Sequence, residues 1–366
     1  MKIAIIGGGI VGSTAAYYLR KYGQEKVTIF DYGKGQATKA AAGIICPWFS
    51  KRRNKAWYQL ARLGADFYQE LVSDVIADGY ITDFYKQTGV YLVKKKEAAL
   101  EELYEIAKKR HVDSPLIGDL DFLTIDQVKQ TFPDLEGFQK VLYASGAARV
   151  DGAQLVKTLL EAAKFPLISE KVSLVISENG YEIAGQTFDK VILASGAWLG
   201  EILEPLAYHV DVRPQKGQLC DYYFDDLVTD DYPLLMPEGE IDIIPFANGK
   251  LSVGASHEND KGYDLTESSR VLDSLEGQAR HYFPKMNQAK SKSYRVGTRA
   301  YTSDFLPFFG FVPGMSGVYA ASGLGSSGLT TGPLIGKELV NLLLEKETSL
   351  KLSDYSLENY VYQAKK

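Results

Sequence analysis

KIAIIGGGIVGSTAAYYLRKYGQEKVTIFD, residues 2–31, decides the fold. Lys2–Ile6 is a short apolar run with β-branched residues, as expected of a buried strand. Ile10–Tyr22 follows with helical spacing: Val11, Ala15, Tyr18, Leu19 and Tyr22 share a face, and Gly23 sits where a helix ends. Lys26–Asp31 is a second strand. Strand, glycine turn, helix and strand within about thirty residues make a βαβ unit. In Gly7-Gly8-Gly9-Ile10-Val11-Gly12, Gly7 allows the tight turn and Gly9 lets a pyrophosphate approach the backbone. Gly12 permits close helix–strand packing. The helix that opens at Ile10 and Val11 turns free N–H groups and a positive dipole end toward phosphates. Asp31 ends the second strand 19 residues after Gly12, where an acid hydrogen-bonds a ribose hydroxyl. Dinucleotide binding is therefore the first expectation.

Outward from that unit, the chain reads as helix over Ala56–Gly79, strand over Gly89–Lys94, and helices over Glu97–Arg110 and Leu155–Lys164. Strands are expected at Lys171–Ser177 and Tyr181–Ala184, joined by a turn at Glu178-Asn179-Gly180. Lys190–Ala194 reads as a buried strand. Gln218–Ser256 is β-rich, with a hairpin of Ile241–Phe246 and Lys250–Val253. Val318–Ala321 is again a buried strand and Gly332–Leu344 a closing helix. The pattern predicts an α/β (α+β) fold: a discontinuous Rossmann-like domain with an inserted antiparallel-sheet domain. We place the first at 1–80, 141–212 and 296–366, and the inserted substrate domain at 81–140 and 213–295.

The 366 residues are enough for two domains, or one large one, without staples. A net charge of −5 argues against a nucleic-acid role driven by bulk basicity. Cys46 and Cys220 form no close pair, which excludes a disulfide scaffold and points to a cytoplasmic protein. His111, His209, His257 and His281 lack ligand spacing, so no metal site is expected. The apolar N-terminus is broken by glycines and reads as structure, not as a targeting signal. No run is long enough for a transmembrane segment. The runs Lys51-Arg52-Arg53, Lys94-Lys95-Lys96 and Lys108-Lys109-Arg110 read as solvated faces.

Three further stretches carry chemistry. Gly323-Leu324-Gly325-Ser326-Ser327-Gly328 is a second G-x-G-x-x-G between a strand and a helix. No strand-terminal acid follows it, so it reads as a backbone cradle for an anionic ring or carboxylate rather than a second dinucleotide fold. Ala194, Ser195 and Gly196, with Trp198 beyond, end a buried strand in small residues suited to close cofactor approach. Arg299 is the residue type that binds a carboxylate bidentately.

In family order, the fingerprint, ATKAAAGI (37–44), the 146–155 stretch, VILASGAW (191–198), VRPQKGQL (212–219), KLSVGAS (250–256), VGTRAYTSDFLPFFG (296–310) and ASGLGSSGLTTGP (321–333) are similar to the D-amino-acid oxidase, glycine oxidase and sarcosine oxidase family. The resemblance covers nearly the whole chain. It implies non-covalent FAD rather than NAD, held also by Tyr32, Thr38, Lys39, Ala42, Gly43, Ile44 and Val172. Gly325–Thr330, with Ser326, Ser327, Gly328 and Leu329, would face the flavin pyrimidine edge. Arg299 would bind the substrate carboxylate. The implied reaction is oxidation of the C–N bond of glycine, a D-amino acid or a secondary amine by hydride transfer, giving an imine that hydrolyses to a keto acid. A 2-hydroxy-acid dehydrogenase and a non-catalytic flavoprotein stay as alternatives. The acceptor, oxygen or a quinone-type carrier, and homo-oligomerisation stay open.

The chain departs from the family pattern at several positions. Lys39 stands where a serine is frequent, and Leu324 replaces a frequent histidine. Asp242 and Phe246 stand where a tyrosine and a basic residue are common. Ser252 stands where sarcosine-oxidase-like members carry a lysine tied to oxygen reactivity. No cysteine is close to Arg299 in sequence, so no covalent flavin link of that kind is expected. By strand alternation Asp242 shares a face with Ile244 and Phe246. We expect Asp242 and Leu324 near the substrate, with Asp242 biasing the pocket toward a cationic or amine-rich one.

Overall fold

The computed structural model describes residues 1–363, so the end of the expected 296–366 segment lies outside the described residues. The opening unit is β1 (Ile3–Ile6), α1 (Ile10–Lys21) and β2 (Val27–Phe30), with β1 and β2 parallel and in register from Ile3–Val27 to Ile6–Phe30. The elements that matter most for the site follow in chain order: α2 (Lys55–Ala77), α3 (Gly152–Ala163), β3 (Lys190–Leu193), β4 (Arg213–Tyr223), β5 (Asp242–Pro245), β6 (Lys250–Gly254), β7 (Ser291–Tyr301), β8 (Val318–Ser322) and α4 (Gly328–Leu343).

The first of two large sheets has the order Phe308–Phe311, β8, β3, β1, β2, Leu167–Ile168. All but its first strand run parallel. The chain leaves β1 on one side through β2 and returns on the other through β3. Such a reversal opens a crevice at the carboxyl ends of the strands. Ile3 and Ile5 face the layer of α1, α2, α3 and α4, while Ala4 and Ile6 face a second core with Val191, Leu193 and Leu199. Both faces are buried, which is why β1 reads as an unbroken apolar run.

The second sheet has eight strands in the order β7, β4, β6, β5, Leu234–Met236, Val90–Leu92, Lys140–Ala144, Leu120–Thr124. Only Leu234–Met236 and Val90–Leu92 pair in parallel. β4 and β7 pair along their whole length, from Arg213–Tyr301 to Tyr223–Ser291. Helix Ser269–Arg280 closes the outer face, where Ile243 and Tyr222 meet Leu275. Ile244 and Phe246 point the other way, into the core shared with the first sheet. Lys140–Ala144 and β7 carry this sheet past the expected boundaries at 141 and 296.

One strand differs from expectation. Of Lys171–Ser177 only Val175–Ser177 pairs, forming a three-stranded meander with Gly180–Ile183 and Gln186–Phe188. Its turn is the two-residue loop Glu178-Asn179, since Ser177 lies opposite Gly180. The stretch 171–174 has no ladder partner, and Lys171, Val172 and Ser173 run along the main cleft instead. The closing helix begins four residues earlier than expected, at Gly328.

Candidate active site

A cleft of about 740 Å³ lies between the carboxyl edge of the first sheet and the inner face of the second. Gly7, Gly9, Ile10, Val11, Asp31, Tyr32 and Val172 line one end. Thr38, Ala42, Gly43 and Ile44 line the middle with Ala194, Ser195, Gly196 and Trp198. Leu324, Gly325, Ser326, Ser327, Gly328, Leu329 and Thr330 line it beyond, with Arg299 and Asp242. Gly12 and Lys39 do not line it.

The first end has the geometry that a dinucleotide needs. Gly7 sits at φ +107°, and a Cβ there would lie 2.3 Å from the Ala194 carbonyl oxygen. A Cβ on Gly12 would lie 1.8 Å from the Gly7 carbonyl oxygen, so Gly12 acts through helix–strand packing rather than by contact with a ligand. At Gly9 the only neighbour of a Cβ would be Thr38 Oγ1, at 3.4 Å, which leaves the backbone open to the cleft. The Ile10 amide donates to Thr38 Oγ1 at 3.1 Å. Asp31 accepts from Gln36 Nε2. Four buried polar atoms on cleft-lining residues have no partner among the described residues: Gln36 Oε1, Trp57 Nε1, Ser195 Oγ and Thr298 Oγ1. Six other buried side-chain polar atoms away from the cleft also lack a hydrogen-bond partner among the described residues, but these four stand on its wall, where a ligand rich in donors and acceptors can meet them. FAD fits this set.

The loop between β2 and α2 is fastened to β7. The Thr298 amide donates to Gly35 O at 2.9 Å. A Cβ on Gly297 would stand 2.7 Å from that of Ala40, so the loop lies directly on the strand. Arg295 donates from Nη1 to Ala41 O at 2.9 Å and Lys39 O at 3.3 Å. It grips buried Asp221 through Nε at 2.8 Å and Nη2 at 2.9 Å. Lys39 itself is exposed and its side chain lies off the cleft wall. In the single turn Ala37–Ala40, Thr38 faces inward and Lys39 outward. Beneath the second glycine turn, Tyr301 Oη accepts from the Ser326 amide at 3.0 Å. The first-turn amides of α4 add a second positive dipole end to the cleft wall.

Arg299 anchors the far end. Its Nη1 donates to Ser256 O at 2.8 Å and Gln215 Oε1 at 3.1 Å. Gln215 is held in turn by Asn259, at 2.7 Å. Nε and Nη2 make no hydrogen bond among the described residues. The guanidinium lies over Gly217, where a Cβ would meet Nη1, Cζ and Nη2 at 2.7–2.8 Å. Burial lowers its pKa, opposed by Tyr301, Glu240 and Glu258, yet arginine stays charged. Burial, then Arg299, pushes His257 down, so this cleft-lining imidazole is neutral at pH 7. Burial pushes the Asp242 carboxyl up to about 7, with Lys94 opposing. Burial, then Asp242, pushes the Cys46 thiol well up. A protonated thiol is a poor nucleophile, in keeping with non-covalent cofactor binding.

Several lining residues escape the sequence reading: Cys46, Trp57, Met236, Glu240, His257 and Thr298. Cys46 is remote from Arg299 in sequence, but the fold brings both to one cleft. His257 carried a usable signal. It follows Gly254-Ala255-Ser256, a small-residue strand end like Ala194-Ser195-Gly196. Ser252 does not line the cleft; its hydroxyl donates to Asp221 Oδ1, and Arg295 Nη2 donates to it at 3.0 Å. Phe246 is buried and also absent from the cleft wall. Among the described residues no helix is long and apolar enough to cross a membrane, and no cluster of three or more His, Cys, Asp or Glu side chains is placed to hold a metal.

A family model described as FAD dependent oxidoreductase matches residues 2–342. The chain is 41% identical over 362 residues to the uncharacterized oxidoreductase YurR of Bacillus subtilis, covering 96% of this chain and 97% of that one. It is 28% identical to a glycine oxidase of Pseudomonas putida, covering 98% of each. The crystal structure of iminodiacetate oxidase (IdaA) from Chelativorans sp. BNC1 is similar at a TM-score of 0.92 and 30% identity, covering 97% of this chain and 98% of that one.

Proposed function

The chain belongs to the DAO family of FAD-dependent oxidoreductases, and from that premise we propose that it oxidises the C–N bond of a small amino carboxylate. The substrate class is glycine, an N-substituted glycine or a D-amino acid. The observation that carries the reading is Arg299, a half-buried guanidinium facing the cleft with Nε and Nη2 unpaired among the described residues. A fixed cation with two free donors suits a carboxylate, which accepts such a pair in parallel. The names of the relatives, a glycine oxidase and an iminodiacetate oxidase, support an amine next to that carboxylate.

Gly7, Gly9, Asp31 and Thr38 would hold the FAD pyrophosphate and ribose, and the Gly325–Thr330 turn would face its ring. When bound, FAD accepts a hydride. Arg299, steadied by Gln215 and the Ser256 carbonyl, fixes the carboxylate and so orients the adjacent carbon. Neutral His257 adds no second cation. The task of the protein is orientation and electrostatics, with water kept out by Met236, Trp57 and Leu324. The imine product hydrolyses to a keto acid in solution. Oxygen or a quinone-type carrier then takes the electrons.

The test is the visible spectrum of the anaerobic, FAD-loaded protein before and after adding glycine, sarcosine, iminodiacetate and D-amino acids. Bleaching of the flavin bands with release of ammonia or a primary amine supports the reading. Bleaching by 2-hydroxy acids alone replaces the substrate class, and no bleaching by either class overturns it.

A further inference from the structure

The segment Glu258–Ser268 joins β6 to helix Ser269–Arg280 and lies outside the cleft wall. Its ends are tied to the second sheet, and its middle reaches the first. One residue of β4, Lys216, holds both ends. The Lys216 amide donates to Glu258 O at 3.1 Å, and the Glu258 amide donates to Lys216 O at 3.0 Å. The Lys216 side chain, 2% exposed, donates from Nζ to Asp264 Oδ2 at 2.8 Å and to Thr266 O. Gln218 adds a second tie, accepting from the Ser268 amide at 2.8 Å and donating to Glu258 Oε1 at 2.7 Å. Between these ties the segment leans on the cofactor end of the cleft. The Tyr263 ring stacks on Trp198 with centroids 5.1 Å apart, and its Oη donates to Ala197 O at 2.9 Å. Trp198 and Leu265 converge on Gly35, where a Cβ would lie 3.0 Å from Trp198 Cη2 and 3.1 Å from Leu265 Cδ2. Trp198, Lys34 and Gln36 all line the cleft.

We propose that Glu258–Ser268 is a strap that retains FAD: locked by Lys216, it holds Trp198 against the Gly33–Gln36 loop, and the cofactor leaves only when the strap lifts. This role concerns the cofactor and does not depend on which amine is oxidised. Lysine is almost never fully buried without a partner. Both hydrogen-bond partners of the Lys216 ammonium among the described residues lie on the strap. Lifting the strap therefore strands a charge inside the sheet, a heavier penalty than the loss of an exposed ion pair. Hydrogen bonds from Lys216, then from Thr266, hold the Asp264 carboxyl well below the usual carboxylate range, so the pair is charged at neutral pH. Packing alone grips the tip weakly, since Tyr263 and Leu265 keep 40% and 36% of their surface exposed. By linkage, a cofactor that needs the strap closed also stabilises the closed strap.

The experiment compares the FAD-loaded parent with Lys216→Met and Tyr263→Ala. Methionine fills the buried position without an ammonium, so the sheet stays packed while the strap loses its lock. FAD release is followed as the return of flavin fluorescence after dilution. It should be about tenfold faster in Lys216→Met and about fivefold faster in Tyr263→Ala. Trypsin cleavage after Lys261, exposed on the strap, should quicken in both variants. Added FAD should slow that cleavage in the parent and much less in Lys216→Met. Methoxyacetate, which has the carboxylate and chain of sarcosine but no amine, reports on Arg299 through the flavin bands. Its Kd should stay within about twofold, because Gln215 still holds Asn259. FAD release at the parent rate in Lys216→Met overturns the strap. So does faster release accompanied by a matching fall in the melting temperature of the cofactor-free protein, or by an equal loss of methoxyacetate binding. If Lys216→Met does not fold, Tyr263→Ala, at an exposed position, decides by the same readings.

Discussion

Gly217→Ala isolates the placement of Arg299 from its presence. The new methyl would stand 2.7 Å from Nη1 and 2.8 Å from Cζ and Nη2, against an ordinary contact of about 3.5 Å. The guanidinium must therefore move by roughly 0.7–0.8 Å. It is the far end of a flexible side chain, and Gly217 has no unusual backbone angle, so the fold gives way cheaply. Moving away stretches the bond to Gln215, now 3.1 Å, beyond useful length and turns Nε and Nη2 off the carboxylate. Losing one charge-assisted bond costs about 1.5–3 kcal/mol, or roughly 10–150-fold in affinity. Alanine in place of glycine in a strand returns at most about 1 kcal/mol to the fold. We expect the Kd for methoxyacetate and the KM for the amine substrate to rise about 10–100-fold, with FAD content and melting temperature unchanged. Stopped-flow flavin reduction over a substrate series and a thermal melt on the same sample give both halves. Unaltered binding would refute the assignment of Arg299 as carboxylate anchor. Binding lost in proportion to stability would refute the argument from local displacement.

Three other substitutions probe different parts of the cleft. Gly12→Ala would put a methyl 1.8 Å from the Gly7 carbonyl oxygen, a backbone atom that cannot yield. The protein should purify without flavin or fail to fold, at a cost of about 3 kcal/mol or more, checked by visible absorbance and a melt. Ser195→Ala removes a buried hydroxyl without a partner, so the cofactor-free protein should gain on the order of 1 kcal/mol while FAD binds several-fold more weakly. Stability and FAD affinity moving in the same direction would contradict a hydroxyl reserved for the cofactor. Asp242 has a folded pKa near 7, above the usual carboxylate value. Its contribution is thus fully present below pH 4 and lost as pH rises to about 7. Melts of cofactor-free protein at pH 5 and 8 should show the parent losing on the order of 2 kcal/mol that Asp242→Asn keeps, and parallel melts would count against that titration.

What the sequence reveals, and what it hides, follows contact range. Gly7, Gly9, Gly12 and Asp31 are legible because one βαβ unit fixes them within thirty residues. Asp242 is legible to the extent that alternation along β5 sets its face, with Ile244 and Phe246 buried on that side. Cys46, His257 and Thr298 meet only through the eight-stranded sheet and the loop laid on β7, whose pairings span hundreds of positions. That Thr38 turns in and Lys39 out is not legible, because a four-residue helix has too little periodicity to say which side chain faces the cleft. Val172 reaches the cleft, but from a stretch that leaves its ladder. The apolar alternation of 171–177 suits a strand equally well.

β7 carries Arg295 and Arg299 on one face, four positions apart. The first binds the carbonyls of Lys39 and Ala41, and the second is the residue we propose for the substrate carboxylate. The strand thus serves as a ruler: the spacing between the two ligands is written into a single run of backbone, braced by its ladder with β4 and by the Asp221 pair. A jaw-like opening between the two sheets would break the hydrogen bonds from Thr298 to Gly35 and from Arg295 to Ala41 that fasten the loop to this strand. Traffic into the cleft is left to side chains at its mouth, and the residues free to diverge toward new substrates are those that the ruler does not touch.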